Sequence, residues 1–130
     1  MKQITVMGKY PVFTIEIAKN ETTYKSVDEV LAYLKKEIES HPVAMYIGEF
    51  DHYKHTSCLD VGEIAEGIKD AKNILCCFGK ALLKPEVLAI RPRAIGVAEM
   101  KESFILSFME APNMDANTMM VRWVEGVKNK

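Results

Sequence analysis

Two histidines, an aspartate and a cysteine lie within eight consecutive residues of this 130-residue chain, from Asp51 to Cys58. Their oxygen, nitrogen and sulfur atoms are the donors that zinc and other transition metals prefer in proteins. His52, His55 and Cys58 are spaced three residues apart, which places them on adjoining faces only if the segment is helical. The spacing therefore makes His52, His55 and Cys58 a candidate site for zinc or another transition metal.

The same segment could support catalysis. A carboxylate next to an imidazole can orient it and raise its basicity, but Asp51 and His52 are adjacent and would point to opposite sides of an extended chain. Cys58 near His55 could act as a thiol nucleophile, whereas no Gly-x-Ser-x-Gly elbow is present for a serine. The alternative is a purely structural role, in which His52 and His55 are loop residues whose ring nitrogens form hydrogen bonds with the backbone or with Asp51.

The adjacent residues Cys76 and Cys77 fall on an apolar stretch that reads as a strand. Because side chains alternate across a strand, one thiol should face the core and the other the opposite surface. An odd number of cysteines with two adjacent is a poor basis for disulfides, so we expect reduced thiols and a cytoplasmic location.

A ligand pocket is predicted where residues 50 to 58 meet the strand at residues 74 to 78. Aromatic side chains near a polar cluster would suit a pocket wall with a few convergent polar groups. The predicted ligand-binding residues are Tyr46, Asp51, His52, Tyr53, His55, Cys58 and Cys77.

Composition restricts the classes of partner. The formal net charge of -1 and the pI near 6.3 argue against nucleic acid and anionic membranes, which need a basic excess. No apolar run approaches the roughly 20 residues that span a bilayer. With 48% hydrophobic residues and no linker, residues 1 to 130 are predicted to form one domain.

The first half of the chain carries clear local signals. Alternating β-branched residues predict a strand near residues 12 to 17, and residues 3 to 7 could form a shorter one before a Gly8-Lys9 turn. Ser26 to Glu29 is a capping box, and the apolar residues after it repeat at helical spacing until His41-Pro42.

The second half predicts shorter elements. Strands are expected near residues 43 to 50 and 73 to 78, and as a hairpin at 94 to 100 and 103 to 109. Asp60 to Glu63 resembles a second capping box that would open a short helix. A helical turn is expected from Pro85, and a final helix should turn one apolar face inward; that face comprises Met119, Met120, Trp123, Val124 and Val127.

Tightly joined consecutive strands favour an antiparallel sheet. We therefore predict an α+β fold, a two-layer sandwich with a mainly antiparallel sheet of about four to six strands and two main helices on one face. The other face must be solvated, covered by a partner, or used for a ligand.

From the first helix onward, the chain resembles the small bacterial family called domain of unknown function 302. The resemblance rests on Phe50-Asp51-His52 after a strand-helix-strand opening, on Cys77-Phe78-Gly79 at a strand end, and on Ala111-Pro112 after a hairpin. It covers roughly residues 12 to 125.

The chain departs from that family at two places, since Lys80-Ala81 replaces Asn-Pro and Arg93-Ala94 replaces Leu-Pro. The resemblance implies a TBP-like α+β sheet that often pairs into dimers, and it implies no activity. The leading hypothesis is a non-catalytic cytoplasmic domain that forms a homodimer and binds a small molecule. The alternative is a metal-dependent or thiol enzyme that uses His52, His55 and Cys58.

Overall fold

The computed structural model describes residues 1–130, which form six strands and three α-helices. The strands are β1 (Lys2–Val6), β2 (Tyr10–Ala18), β3 (Met45–Asp51), β4 (Asp70–Cys77), β5 (Arg93–Glu99) and β6 (Ser103–Met109). The helices are α1 (Val27–Ser40), α2 (His52–Ser57) and α3 (Met114–Glu125), with 3₁₀ helices at Lys19–Glu21 and Pro85–Ile90. None of these helices is long and apolar enough to cross a membrane.

All six strands belong to one sheet in the order β1-β2-β6-β5-β4-β3. Every neighbouring pair is antiparallel, including β2 with β6, which lie far apart in sequence. Helices α1 and α3 contribute their buried residues to one face of this sheet. The predicted α+β two-layer sandwich is confirmed.

Helix α1 follows its sequence signals closely. The Ser26 Oγ accepts a hydrogen bond from the Glu29 backbone N–H at 3.1 Å, while the Glu29 carboxylate accepts from the Lys25 amide at 3.2 Å. Its apolar stripe is at most 1% exposed: Val27, Val30, Leu31, Leu34 and Ile38. The helix ends at the predicted place, where the His41 Nδ1 accepts from the amides of Val43 and Ala44.

The predicted face of α3 is also confirmed, with one residue at its margin. Met120, Trp123, Val124 and Val127 are buried in the core, whereas Met119 is only partly buried against it. The β1–β2 hairpin turns where expected, with Met7 and Gly8 at φ values of 55° and 68°. Such left-handed residues allow a tight turn whose twist matches that of the strands.

The sequence prediction of a short helix after Asp60 to Glu63 is wrong in position. Residues 60 to 63 contain no helix, and the helix lies earlier, at α2, in the segment expected to be a loop. The Asp51 Oδ1 accepts from the Lys54 amide at 2.9 Å and so caps α2. The later segment contains Gly62 and a left-handed Gly67 at φ 97°, and glycine is a poor helix former.

We call the sheet surface opposite α1 and α3 the open face. Strand alternation assigns its residues, because Ile17, Ile74, Ile95 and Leu106 lie in the core and their strand neighbours point the other way. The open face comprises Lys2, Ile4, Val6, Tyr10, Val12, Thr14, Glu16, Ala18, Met45, Gly48, Phe50, Ala71, Asn73, Leu75, Cys77, Ala94, Gly96, Ala98, Ser103, Ile105, Ser107 and Met109.

Candidate functional site

The Asp51 carboxylate has a structural role in this fold. One oxygen caps α2, and the other lies 3.7 Å from the Lys72 Nζ, which makes a closer ion pair with Asp28 at 2.6 Å. The hydrogen bond that the Lys72 Nζ donates to the Asp28 carboxylate raises the pKa of Lys72, and the charges of Asp70 and Asp51 raise it further. The Asp51 carboxylate therefore caps the start of α2 and attracts the Lys72 ammonium group, and it makes no hydrogen bond to His52.

His52 and His55 both pack against the ring of Phe50, and they do not converge on a shared position for a ligand. The Phe50 ring centroid lies 4.6 Å from that of His52 and 5.5 Å from that of His55. Both imidazoles are exposed, and so is Cys58, whose amide donates to the Lys54 carbonyl at the end of α2. No group of three or more His, Cys, Asp or Glu side chains is placed to hold a metal ion. The predicted metal site is therefore not favoured by this arrangement, and it stays a prediction.

Only two of the predicted ligand-binding residues, His52 and Tyr53, line the cavity next to α2. This cavity has a volume of about 170 Å³, and His52, Tyr53 and Thr56 form its α2 side. Ile64 and Ile68, expected on a helix, line it from an irregular segment. A cavity of this size is below the volume of ordinary small-molecule sites.

Tyr46 and Cys77 lie at the other end of the β3–β4 pair, so the structure does not bring them together with Asp51 and α2. The register pairs Phe50 with Asn73 and Asp51 with Lys72, and residues 74 to 77 instead oppose Met45 to Glu49. The seven predicted ligand-binding residues are therefore divided among three places.

Tyr46 and Cys77 also point to opposite faces of the sheet. The Tyr46 hydroxyl lies on the helix side and donates to the Glu49 carboxylate at 3.2 Å, and its pKa is raised by burial and by Glu49. Cys77 lies on the open face, where its Sγ accepts from the Gly79 amide at 3.3 Å. Cys76 is fully buried in the core, and burial raises its thiol pKa to about 12. The predicted division of the two thiols between core and opposite surface is confirmed.

The centre of the open face carries a row of polar side chains that the sequence did not reveal. Cross-strand pairing aligns Asn73 with Gly96, Gly96 with Ser107, Ser107 with Thr14, and Thr14 with Lys2. We call these five residues the polar row. A Cβ at Gly96 would lie 3.0 Å from the Asn73 Oδ1 and 3.7 Å from the Ser107 Oγ, so the glycine brings the two side chains together.

A cavity of about 410 Å³ opens over this row. Asn73, Gly96 and Ser107 form its floor, and Ala89 and Ile90 of the 3₁₀ helix form one wall. Its other walls include Val12, Met109 and Arg93, so the polar floor lies between apolar side chains and one cation. No local sequence signal predicts this site, because a single Asn or Ser on a strand is ordinarily interpreted as a solvent-exposed side chain.

The chain belongs to a family of unknown function, DUF6858, whose match covers residues 1–129. No curated protein and no solved structure matches it. The resemblance to the domain of unknown function 302 stays a prediction.

Proposed function

We propose that this protein is a non-catalytic domain that forms a homodimer by packing the open face of one copy against that of another. The observation that carries the proposal is the number of large apolar side chains exposed on this face, which α2 and the 3₁₀ helix at Pro85–Ile90 cover only in part. They include Ile4 at 41%, Tyr10 at 47%, Met45 at 67% and Met109 at 46% exposure. Contiguous apolar surface of this kind is typical of an interaction site.

The size of the open face fits a dimer interface. Six strands about 4.8 Å apart, each about seven residues long at about 3.3 Å per residue, cover about 670 Å² of flat area. Side-chain relief increases the accessible area above this value. A standard stable interface buries about 800 Å² on each partner, so a stable dimer would use most of the open face.

Charge also favours a second copy as the occupant. Lys2 and Glu16 are the charged residues of the open face, one of each sign. Two copies related by a twofold axis therefore meet without a like-charged patch, and the net charge of -1 gives little overall repulsion. A nucleic acid or an anionic membrane would find no basic surface here.

The polar row gives such a dimer a defined orientation. Gly96 and Ser107 lie near the middle of the two central strands, close to where a twofold axis would cross the sheet. Polar groups buried there need hydrogen-bond partners, and the same row on the other copy can provide them. A slipped register would leave the polar groups against apolar side chains, which costs free energy.

A second candidate function uses the 410 Å³ cavity over the polar row. Its volume lies within the range of small-molecule sites, and Asn73 and Ser107 supply donors and acceptors on its floor. It suits a ligand with an amide, carbonyl or hydroxyl group. A second copy would then enclose this ligand between the two sheets.

Sedimentation equilibrium over a wide range of protein concentration tests the proposal. We expect a reversible monomer–dimer equilibrium with a mass at twice 14.7 kDa. A monomer at every concentration would refute self-association, and the ligand cavity would then be the remaining candidate. Native mass spectrometry of the same samples reports any bound metal or small molecule.

A further inference from the structure

Arg91 and Arg93 together line a second cavity beside the one over the polar row, and Arg93 lines both. The second cavity has a volume of about 330 Å³ and lies between the start of β5 and the segment that leads into α3. Its apolar walls include Phe78, Ile90 and Pro112, and Gly79 forms part of its rim. This cavity contains none of the seven ligand-binding residues predicted above.

Both guanidinium groups are held in place by backbone carbonyls. The Arg91 Nη1 donates to the Ala81 carbonyl at 2.9 Å and lies over Gly79, where a Cβ would be only 2.5 Å from it. Arg93 donates to the carbonyls of Ile90 at 3.2 Å, Met109 at 2.6 Å and Glu110 at 3.0 Å. Each arginine has five N–H donors, so both retain donors for a further partner.

The positive charge of the two arginines is not balanced by a carboxylate. No acidic residue lines the cavity, and the ion pairs of the structure all involve lysines: Lys19, Lys72 and Lys128. The side chain of Arg93 is partly buried, and this burial lowers its pKa because it disfavours the charged form. Because arginine stays protonated at physiological pH, an anion is the partner that would offset this cost.

Asn113 adds a third donor at the same cavity. Its Oδ1 accepts hydrogen bonds from the amides of Asp115 and Ala116, which leaves its Nδ2 amide available to other partners. The side chain also lines the cavity. An amide N–H₂ beside two guanidinium groups is a donor set suited to an oxyanion.

We propose that this cavity binds a small organic anion, whose carboxylate or phosphate pairs with Arg91 and Arg93 while its apolar body rests against Phe78 and Pro112. Arginine matches both anion types because its planar N–H pairs meet two oxygens at once. A volume of about 330 Å³ holds a small molecule, not a polymer. The inference goes beyond the proposed dimer and does not depend on it.

Three probes of nearly equal shape test the inference, namely sodium benzoate, phenyl phosphate and benzamide. Each is titrated into the full-length protein while amide chemical shifts are followed by NMR. We expect benzoate, phenyl phosphate or both to shift residues around Gly79, Arg91 and Asn113. Neutral benzamide should bind at least about tenfold more weakly, because it lacks the charge-assisted hydrogen bonds.

Charge-removing variants locate the site. R91Q and R93Q should each weaken binding of the anion at least about tenfold. R122Q is the matched control, since Arg122 is exposed on α3 and is not part of the cavity. Thermal melting checks the fold, and R91Q remains informative if R93Q, with its three carbonyl partners, unfolds.

Several results would overturn the inference. The cavity does not bind anions if neither benzoate nor phenyl phosphate shifts these residues. Equal binding of benzamide would show that the apolar walls act without the arginines. A loss of affinity in R122Q as large as in R91Q would indicate general charge attraction. If only one of the two anions binds, the result identifies which oxyanion the site takes.

Discussion

Replacing Met109 with glutamate should separate the proposed dimer into folded monomers. Met109 lies on the open face at the end of β6, where it is 46% exposed. Complete burial of a methionine side chain stabilises by about 1.5 to 3 kcal/mol, so covering this exposed part would contribute about 0.7 to 1.4 kcal/mol per copy. The twofold symmetry doubles the contribution to about 1.4 to 2.8 kcal/mol.

Loss of that contribution alone would raise the dissociation constant by about tenfold to a hundredfold. Glutamate adds the cost of removing two carboxylates from water without a partner, so we expect an increase of at least about a hundredfold in Met109→Glu. The monomer should keep its stability, because the position is a partly exposed strand end. Sedimentation equilibrium measures the constant, and circular dichroism with thermal melting checks the fold.

Met114→Glu is the matched control for this experiment. Met114 is 70% exposed at the first position of α3, away from the open face, and an acidic residue there is favourable for the helix dipole. The two substitutions are chemically identical, so only position distinguishes them. The reasoning fails if Met109→Glu dimerises as tightly as the unmodified protein, or if Met114→Glu dissociates equally.

Four further predictions concern local chemistry. Ser26→Ala should lower the free energy of unfolding by about 1 kcal/mol in urea titration, because the N-terminal hydrogen bond of α1 is lost, and an unchanged value would contradict the cap. A thiol reagent at neutral pH should modify exposed Cys58 rapidly and Cys76 only on unfolding, and mass spectrometry of digested samples distinguishes the two. The pKa of the Cys76 thiol in the folded protein, about 12, lies above the ordinary thiol value of 9.0. Its stabilising contribution is therefore complete below pH 9 and is lost as the pH rises toward 12, and Cys76→Ala should show a smaller fall in stability across that range. His55→Ala combined with Cys58→Ala should leave dimerisation unchanged, and loss of a stoichiometric metal in native mass spectrometry would instead favour the metal-dependent alternative.

The elements that could be predicted from sequence are those whose signals are local. The cap at Ser26, the apolar stripe of α1 and the turn at Gly8 each depend on residues within one helix or hairpin, and each is present. The short helix shows the limit of such signals. Asp51 and Asp60 both precede helix-compatible residues, and only the first one caps a helix.

The candidate site depended on strand register, which local signals do not contain. Asp51, His52 and Tyr53 were expected to meet residues 74 to 78, but the antiparallel register of β3 with β4 places Asp51 opposite Lys72 and Met45 opposite Cys77. A shift of one residue changes both the partner and the face of every following side chain. Neighbours in sequence were therefore identified correctly, and their partners across the sheet were not.

The sequence by itself determined the α+β class, the two amphipathic helices and the separation of Cys76 from Cys77, because these follow from periodicity and capping along one segment. Tertiary structure alone decided that Asn73, Ser107 and Thr14 form one row and that Arg91 and Arg93 share a cavity with Asn113. These groups come from segments separated by up to 93 positions, in strands that pair through backbone hydrogen bonds. Backbone pairing is nearly independent of side-chain identity, so the packing of the whole sheet selects which polar groups meet.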